Sequence, residues 1–452
     1  MIAMSNEDAP TGHTGYFSNG KFIPKRLADE IKEKYTFKTL RDTEETWFYN
    51  DGVYHPDAET IIKEEVRTAL CDGISECRAN EVIFCIKTDT YIEREAMNKN
   101  KDMIHLKNGI FDLKTMVLLP FSPEAISTIQ IPIEYDPQAD CPEIKKFFSE
   151  IILEADIPVI QELFGYTLFK GYPIQKATML IGGGANGKST LTALLTRFLG
   201  KNNVSSVALQ DLDMNRFAIA CLYNKMANIY SDLTNKSLYQ TGRFKMLVGG
   251  DLISAEQKFR NTFTFVNYAK LIFSANQLPE TQDDSDAFYR RWIIVNFPNV
   301  FEGEKADAKI LEKLTTKEEL SGLFNWAIEG LKRLLETGRF SYHKNTEEIR
   351  DAYERLSNPL VCFIKDTVEI APMGSITKDI FYTAFVNYCK ENALPVKAKN
   401  VVGRELPKHI SVSSERAKIG DIRMAVWRGI RLNGKDGGDG KDDSYFNLHN
   451  EK

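Results

Sequence analysis

Nine consecutive residues, Gly182, Gly183, Gly184, Ala185, Asn186, Gly187, Lys188, Ser189 and Thr190, contain the pattern Gly-x-x-x-x-Gly-Lys-Ser. In such a loop successive backbone N–H groups and the positive end of the following helix face an anion, and the lysine reaches the outer oxygens of a polyphosphate. Ser189 is the expected ligand for the accompanying Mg²⁺. The chemistry these residue types suit is binding and cleavage of a nucleoside triphosphate, ATP with Mg²⁺.

Two apolar runs downstream end in groups that could act on the same phosphates. Met226-Ala-Asn-Ile-Tyr-Ser-Asp232 ends in a carboxylate and Leu271-Ile-Phe-Ser-Ala-Asn276 in an amide. An acid in that place holds Mg²⁺ or activates the attacking water; with Ser231 beside it instead of a second acid, Asp232 has to serve one role or the other. Asn276 suits orientation of water at the terminal phosphate. Arg290 and Arg291 follow fourteen and fifteen residues after Asn276. A planar, permanently charged guanidinium stabilises a transferring phosphoryl group, from the same subunit or a neighbour, and equally makes ordinary salt bridges.

These groups need a sheet to bring them together. Ala177–Ile181 has the length of a buried strand, and Leu191, Leu194, Leu195, Phe198 and Leu199 recur at helical spacing before Gly200 closes the helix. Further strand candidates at Ala227–Ser231, Lys270–Ser274 and Trp292–Phe297 alternate with helices and loops, which is an α/β pattern. The chain then divides as follows. Residues 1–20 read as a flexible arm. Residues 21–140 mix helices at Lys25–Lys34 and Glu59–Leu70 with strand-like pieces at Thr46–Tyr49 and Glu81–Ile86, an α+β domain. Residues 141–340 hold the nucleotide core, entered by helices at Ile144–Ile152 and Val159–Phe169. In that core the apolar face from Leu320 to Leu335, stopped by Gly338, is a core helix or a lid behind the sheet. Residues 345–432 carry helices at Lys378–Glu391 and Val401–His409 and strands at Ile410–Ser413 and Met424–Leu432, an order that suggests a winged helix. Residues 433–452 read as a flexible tail.

The chain has 452 residues, 43% of them hydrophobic, enough for several ordinary cores, so a disordered protein is excluded. No stretch reaches the length of a membrane span and the polar N-terminus lacks a signal peptide's apolar segment; a cytoplasmic protein without a membrane partner is expected. Seven cysteines form no C-x-x-C pair and the six histidines do not cluster beside them, which points to buried free thiols, not zinc. The net charge of −5 excludes a generally basic nucleic-acid coat but leaves room for a local one. Between Val396 and Arg431 nine Lys or Arg stand against three acids, and Lys399, Asn400, Arg404 and Lys408 are candidates for duplex contact or for an ordinary solvated face.

Taken in order, the loop, Asp232, Phe244-Lys245-x-Leu-Val-Gly-Gly-Asp251, Glu256-x-Lys258, Phe273-Ser-Ala-Asn276-Gln-Leu-Pro279 and Asp286-x-x-x-Arg290-Arg291 resemble the superfamily 3 helicase core. More narrowly, the region is similar to the helicase part of phage, plasmid and poxvirus primase-helicases. Lys107-Asn-Gly-Ile-Phe-Asp-Leu113 and Tyr135-Asp-Pro-x-Ala-Asp-Cys-Pro142 resemble the domain that precedes it, and the chain beyond residue 345 its C-terminal winged helix. The resemblance implies an AAA+-type ATPase that works as a homo-hexameric ring on single-stranded and forked DNA, moves 3′ to 5′ in replication of a mobile element, and partners a separate primase or polymerase. It assigns Lys188 and Ser189 to phosphates and Mg²⁺, Asp232 to metal or water, Asn276 as sensor and Arg291, before Arg290, as the finger given to a neighbour. Lys258, with Phe259 and Arg260 beside it, falls on the family's DNA-contacting hairpin, and Lys245 where ATP is contacted across the subunit boundary. Residues 1–140 are too few for a primer-synthesising domain as well, so no primer synthesis is expected. An ATP-switched replication initiator or loader and a packaging motor are the alternative functions.

Overall fold

The computed structural model describes residues 14–259, 261–303, 307–392, 394–419 and 422–433. Its N-terminal unit begins with a short hairpin, β1 (Phe17–Ser18) and β2 (Lys21–Phe22), followed by α1 (Pro24–Lys34), β3 (Phe37–Leu40), β4 (Thr46–Asn50), β5 (Val53–His55), α2 (Ala58–Leu70), α3 (Glu76–Asp89) and β6 (Tyr91–Ile92). The four strands β3 to β6 form a sheet in the order β5-β4-β3-β6. Two expectations are corrected here. The part of the arm that is described, residues 14–20, is ordered: Tyr16 is buried in the local core, and the Arg78 guanidinium lies 5.3 Å from the ring centre of Phe17 and 5.7 Å from that of Phe22. Glu81–Ile86 is not a strand but the middle of α3. Its β-branched run suggested extended chain, yet Ala79, Val82, Ile83 and Ile86 are buried at helical spacing, Phe84 points outward, and the Ser75 hydroxyl caps the helix by accepting from the Arg78 N–H.

A three-stranded meander follows, β7 (Met103–His105), β8 (Ile110–Asp112) and β9 (Val117–Leu119), then α4 (Pro142–Ile151) and α5 (Ile157–Tyr166). The central unit, expected to be the nucleotide core, comprises β10 (Ala177–Ile181), α6 (Lys188–Leu199), β11 (Val204–Ser205), α7 (Leu209–Met214), β12 (Ala227–Tyr230), α8 (Gly242–Gly249), β13 (Leu252–Ala255), β14 (Phe263–Val266), β15 (Lys270–Ala275), α9 (Asp286–Tyr289) and β16 (Trp292–Asn296). Five of these strands form a sheet in the order β11-β12-β15-β10-β16 with every pairing parallel, consistent with a P-loop core. Every residue of β10 and β15 is buried, and all but Thr178, Lys270 and Ser274 are apolar, as a parallel strand covered on both faces requires.

After this sheet come α10 (Ile310–Leu314) and α11 (Lys317–Thr337). Of the two readings of α11, the core helix holds, because it lies directly on α5. A Cβ at Gly165 would stand 2.2 Å from Ala327 O, and one at Gly330 would stand 2.7 Å from Gln161 O, so glycine on both helices permits backbone approach. Two α11 side chains tie neighbouring helices: the Glu319 carboxylate accepts from the Glu143 and Ile144 N–H groups at 3.3 and 3.1 Å, capping α4, and Arg333 Nε donates to the fully buried Glu162 at 2.8 Å.

The last unit runs α12 (Thr346–Ser357), α13 (Pro359–Thr367), β17 (Val368–Thr377), α14 (Lys378–Glu391), α15 (Lys399–His409), β18 (Ser413–Ile419) and β19 (Ile422–Leu432), with sheet order β17-β19-β18. Ile410–Ser413 is not the predicted strand. Ile410 and Val412 pack against the local core as a connection, and the strand that follows is polar because it is an exposed edge. Apolar clusters cross two expected boundaries: Ile104, Leu106, Phe111, Ile129, Ile131 and Ile133 pack into the core of the parallel sheet, as do Ile349, Tyr353 and Leu356 of α12. Among the seven cysteines only Cys141 and Cys389 are buried; Cys71, Cys77 and Cys221 lie at helix ends or outer faces and are exposed.

Candidate nucleoside-triphosphate site and hairpin

The loop joins β10 to α6, and its shape follows from its small residues. Gly184, Ala185 and Gly187 have φ of 115°, 47° and 87°, a succession that turns backbone N–H groups inward at the start of α6. A Cβ at Gly183 or Gly184 would meet nothing within 4 Å, so open space lies over the loop, as bound phosphates require. Lys188 is buried; its Nζ donates to Gly182 O at 2.6 Å and to Asn186 Oδ1 at 2.7 Å. Asn186 is held in turn by Phe297 O at 3.3 Å. Burial lowers the pKa of Lys188 and the Asp232 charge opposes the shift.

The parallel register supplies the rest. Ile181 pairs with Ala275, Tyr230 pairs with Phe273, and Leu233 N donates to Ser274 O at 2.7 Å, so β10, β12 and β15 end together. Asp232, at φ 67°, and Asn276 therefore open onto the same cavity of about 510 Å³ as Lys188, Ser189 and Thr190. This is the carboxyl edge of the sheet, where open α/β sheets bind ligands. Ser231, in place of a second acid, shares a 3.2 Å hydrogen bond with the Thr192 hydroxyl. Apolar walls come from elements that sequence reading did not connect to the site: Phe147 and Ile151 of α4, Phe301, and Ile310 of α10, with Phe301 N donating to Ala185 O at 2.6 Å. Their signal was only generic helix amphipathicity. The donor set, a hydroxyl and a carboxylate beside a loop of inward N–H groups, fits a triphosphate with Mg²⁺.

Arg290 and Arg291 lie outside the cavity lining. Arg291 is buried, with Nη1 donating to Ala287 O at 2.5 Å and Nε unpartnered; Arg290 is exposed. Lys245 pairs with Asp283 at 2.8 Å. Although burial pushes the Asp283 carboxyl up, donation from Lys245, Ser285 and Thr241 holds it well below the carboxylate range.

β13 and β14 pair antiparallel as a hairpin in which Ile253, Ala255 and Phe265 are buried on one face while Leu252, Ser254, Thr264 and Val266 are exposed on the other. Lys258 and Phe259 stand exposed at its tip, Phe259 at φ 62°; Arg260 lies outside the described residues. Beside the tip is a segment that sequence reading missed. The Arg216 guanidinium lies 4.6 Å from the ring centre of Phe217, Lys258 Nζ lies 5.8 Å from the same ring, and Arg216 pairs with Glu256 at 3.4 Å. On α15, Val402 and Leu406 face the core while Asn400, Arg404 and Lys408 are exposed; Lys399 is exposed and paired with Asp379.

Two family models match the chain: a family described as D5 N terminal like over residues 21–153, and a family of unknown function (DUF5906) over residues 180–291. Three viral proteins provisionally named helicases are similar to it. L207/L206 of Acanthamoeba polyphaga mimivirus is 26% identical over 48% of this chain and 24% of its own length. V13 of Sputnik virophage is 21% identical over 92% of this chain and 54% of its own. 184R of Invertebrate iridescent virus 6 is 24% identical over 49% of this chain and 25% of its own. The chain thus spans between about a quarter and about half of the length of these relatives. Among solved structures, the apo A form of the NrS-1 C-terminal region has a TM-score of 0.48 at 12% identity, covering 90% of this chain and 99% of that one, a likeness too low to bear on activity. No helix among the described residues is long and apolar enough to cross a membrane.

Proposed function

We propose, from the premise that the chain belongs to the D5-type primase-helicase family, that it is an ATP-hydrolysing DNA helicase of superfamily 3 and AAA+ type. In this reading it works as a homo-hexameric ring, moves 3′ to 5′ on single-stranded DNA at forks, and serves replication of a virus, phage or plasmid alongside a separate primase or polymerase. The observation that carries the reading is the convergence of Lys188, Ser189, Asp232 and Asn276 on one cavity at the carboxyl edge of the parallel sheet.

Residues 182–190 would hold the phosphates through backbone N–H groups and Lys188, and Ser189 with Asp232 would hold Mg²⁺. When bound, ATP and Mg²⁺ supply the scissile anhydride and neutralise its charge. Lys188 must exchange Gly182 O and Asn186 for phosphate oxygens, and its desolvation strengthens that contact. With Asp232 on the metal, Asn276 orients water for in-line attack on the terminal phosphorus. Phe147, Ile151, Phe301 and Ile310 give the base an apolar seat and exclude bulk water. A finger donated to a neighbouring subunit has to be reachable; Arg290 meets that condition as it stands, and Arg291 only after leaving Ala287 O. Lys245 contacts a neighbour's nucleotide only by leaving Asp283.

Lys258, Phe259 and Arg260, with Arg216 and Phe217 beside them, suit a strand of DNA, cations for phosphates and rings for bases or sugars. The order α13, β17, α14, α15, β18, β19 supports a winged helix whose α15 presents Asn400, Arg404 and Lys408 to duplex DNA, with Lys399 at its start. The lone acid, with Ser231 engaged by Thr192, favours one second reading, an ATP-switched initiator that melts DNA locally. Strand displacement on a fork with a 3′ tail, against a 5′-tailed control and with hydrolysis followed in the same tubes, separates the two. Displacement confined to the 3′ tail supports the helicase; hydrolysis without displacement supports the initiator; neither activity rejects both.

A further inference from the structure

We infer that Arg94, on the N-terminal unit, is a positioning residue that couples that unit to the hairpin. The inference rests on the helicase reading, in which the hairpin carries DNA. Arg94 opens the short turn Arg94–Ala96 directly after β6. Its guanidinium carbon lies 5.2 Å from the ring centre of Tyr223 and 4.8 Å from that of Phe263. Its Nε donates to Asp42 Oδ2 at 2.6 Å, in the turn between β3 and β4, and only 15% of the side chain is exposed. One arginine thus joins the N-terminal sheet, the segment leading into β12 and the hairpin.

The place of the contact on the hairpin matters. Phe263 pairs with Ala255, the last pairing before the tip that bears Lys258 and Phe259. Arg94 therefore grips the neck of the hairpin, not its base. Phe263 and Phe265 lie 5.1 and 5.4 Å from the Tyr223 ring, so the inner face of the hairpin is already seated on the nucleotide core, and Arg94 closes over the same aromatic cluster from the other unit. A guanidinium held over ring faces tolerates sliding that a directional hydrogen bond does not, whereas the Asp42 bond fixes its other side. That combination suits a contact which has to persist while the tip moves. An exposed ion pair between the same units would add little and would yield to salt.

Arg94 has no contact with the nucleotide cavity, whose lining comes wholly from residues beyond position 146. Its loss should therefore leave basal hydrolysis alone and affect only what DNA at the tip does to it. The test measures ATP hydrolysis by the full chain, with and without oligo-dT, for wild type, Arg94→Ala, Arg94→Lys and Asp42→Asn, together with melting temperatures. The expected result is that Arg94→Ala keeps basal hydrolysis and loses several-fold in DNA stimulation, Arg94→Lys keeps part of the stimulation through its ammonium, and Asp42→Asn, which leaves the guanidinium over the rings, stays near wild type. Undiminished stimulation in Arg94→Ala overturns the inference. So does parallel loss of basal and stimulated hydrolysis with a lowered melting temperature, which would make Arg94 a structural support only. A wild type that DNA does not stimulate removes the helicase reading, and this inference with it.

Discussion

Lys188 and Lys258 carry the same ammonium group in opposite surroundings. Lys188 is buried, held by Gly182 O and Asn186 Oδ1, and its charge is desolvated before any ligand arrives. Lys258 stands in solvent at the tip of a two-stranded hairpin, within 5.8 Å of one aromatic ring. A site that orients phosphates for bond cleavage gains from groups fixed in advance, because no reorganisation is left for the moment of reaction. A contact that follows a moving polymer gains from the reverse, a cation whose hydration and reach stay free.

The contrast can be broken most directly at the loop. Lys188→Ala should reduce ATP hydrolysis to background while binding of single-stranded oligo-dT persists; phosphate release and fluorescence anisotropy read the two, and retained turnover would remove Lys188 from the chemistry. The complementary change, Lys258→Ala, should leave basal hydrolysis and melting temperature unchanged, since an exposed side chain is worth within about 0.5 kcal/mol. It should also abolish DNA stimulation and unwinding. Normal unwinding by that variant would show that the hairpin is not the DNA contact.

A third change sharpens the comparison by disturbing the scaffold beneath the buried site and not the site itself. Gly165→Ala puts a methyl group 2.2 Å from Ala327 O, and backbone cannot step aside as a side chain can. A loss of about 3 kcal/mol is expected in urea unfolding, the upper range for overpacking. An unchanged midpoint would mean that α5 and α11 can part.

The last change acts through titration of a buried group, of which a fall from pH 7 to pH 5 draws only part. Burial, aided by the nearby Lys170 charge and only partly opposed by the hydrogen bond to Gly52 O, lowers the pKa of His105 from 6.5 to about 4. A depressed folded value means that the unfolded chain takes up the proton first. The contribution of His105 is therefore complete above about pH 6.5 and is lost as pH falls toward 4, by about 3 kcal/mol at most. Melting temperatures between pH 7 and pH 5 should fall faster in wild type than in His105→Gln; parallel curves would place the acid sensitivity elsewhere.

Much of the candidate site was legible in the sequence because its signals are local. The loop needs small residues and a lysine at fixed spacing, and strand ends announce themselves by an apolar run that stops at Asp232 or Asn276. The misreadings have local causes as well. Glu81–Ile86 is β-branched and apolar, so extended chain and helix compete, and only burial of Ala79, Val82, Ile83 and Ile86 on one face decides for the helix. The strand β17 was not marked in the sequence at all: Pro372 and Gly374 interrupt its pattern, and its register shifts between Ile370 and Ser375. Arg94 offered no signal, because its partners Asp42, Tyr223 and Phe263 are spread along the chain.

By itself the sequence determined the phosphate loop, the acid and amide at two strand ends and the α/β alternation, since backbone conformation and side-chain period depend on neighbouring residues. Tertiary structure decided which strand ends meet, which walls close the cavity, that Arg291 is buried while Arg290 is exposed, and which unit grips the hairpin. Those outcomes depend on parallel register and on contacts between distant segments, which no spacing along the chain encodes.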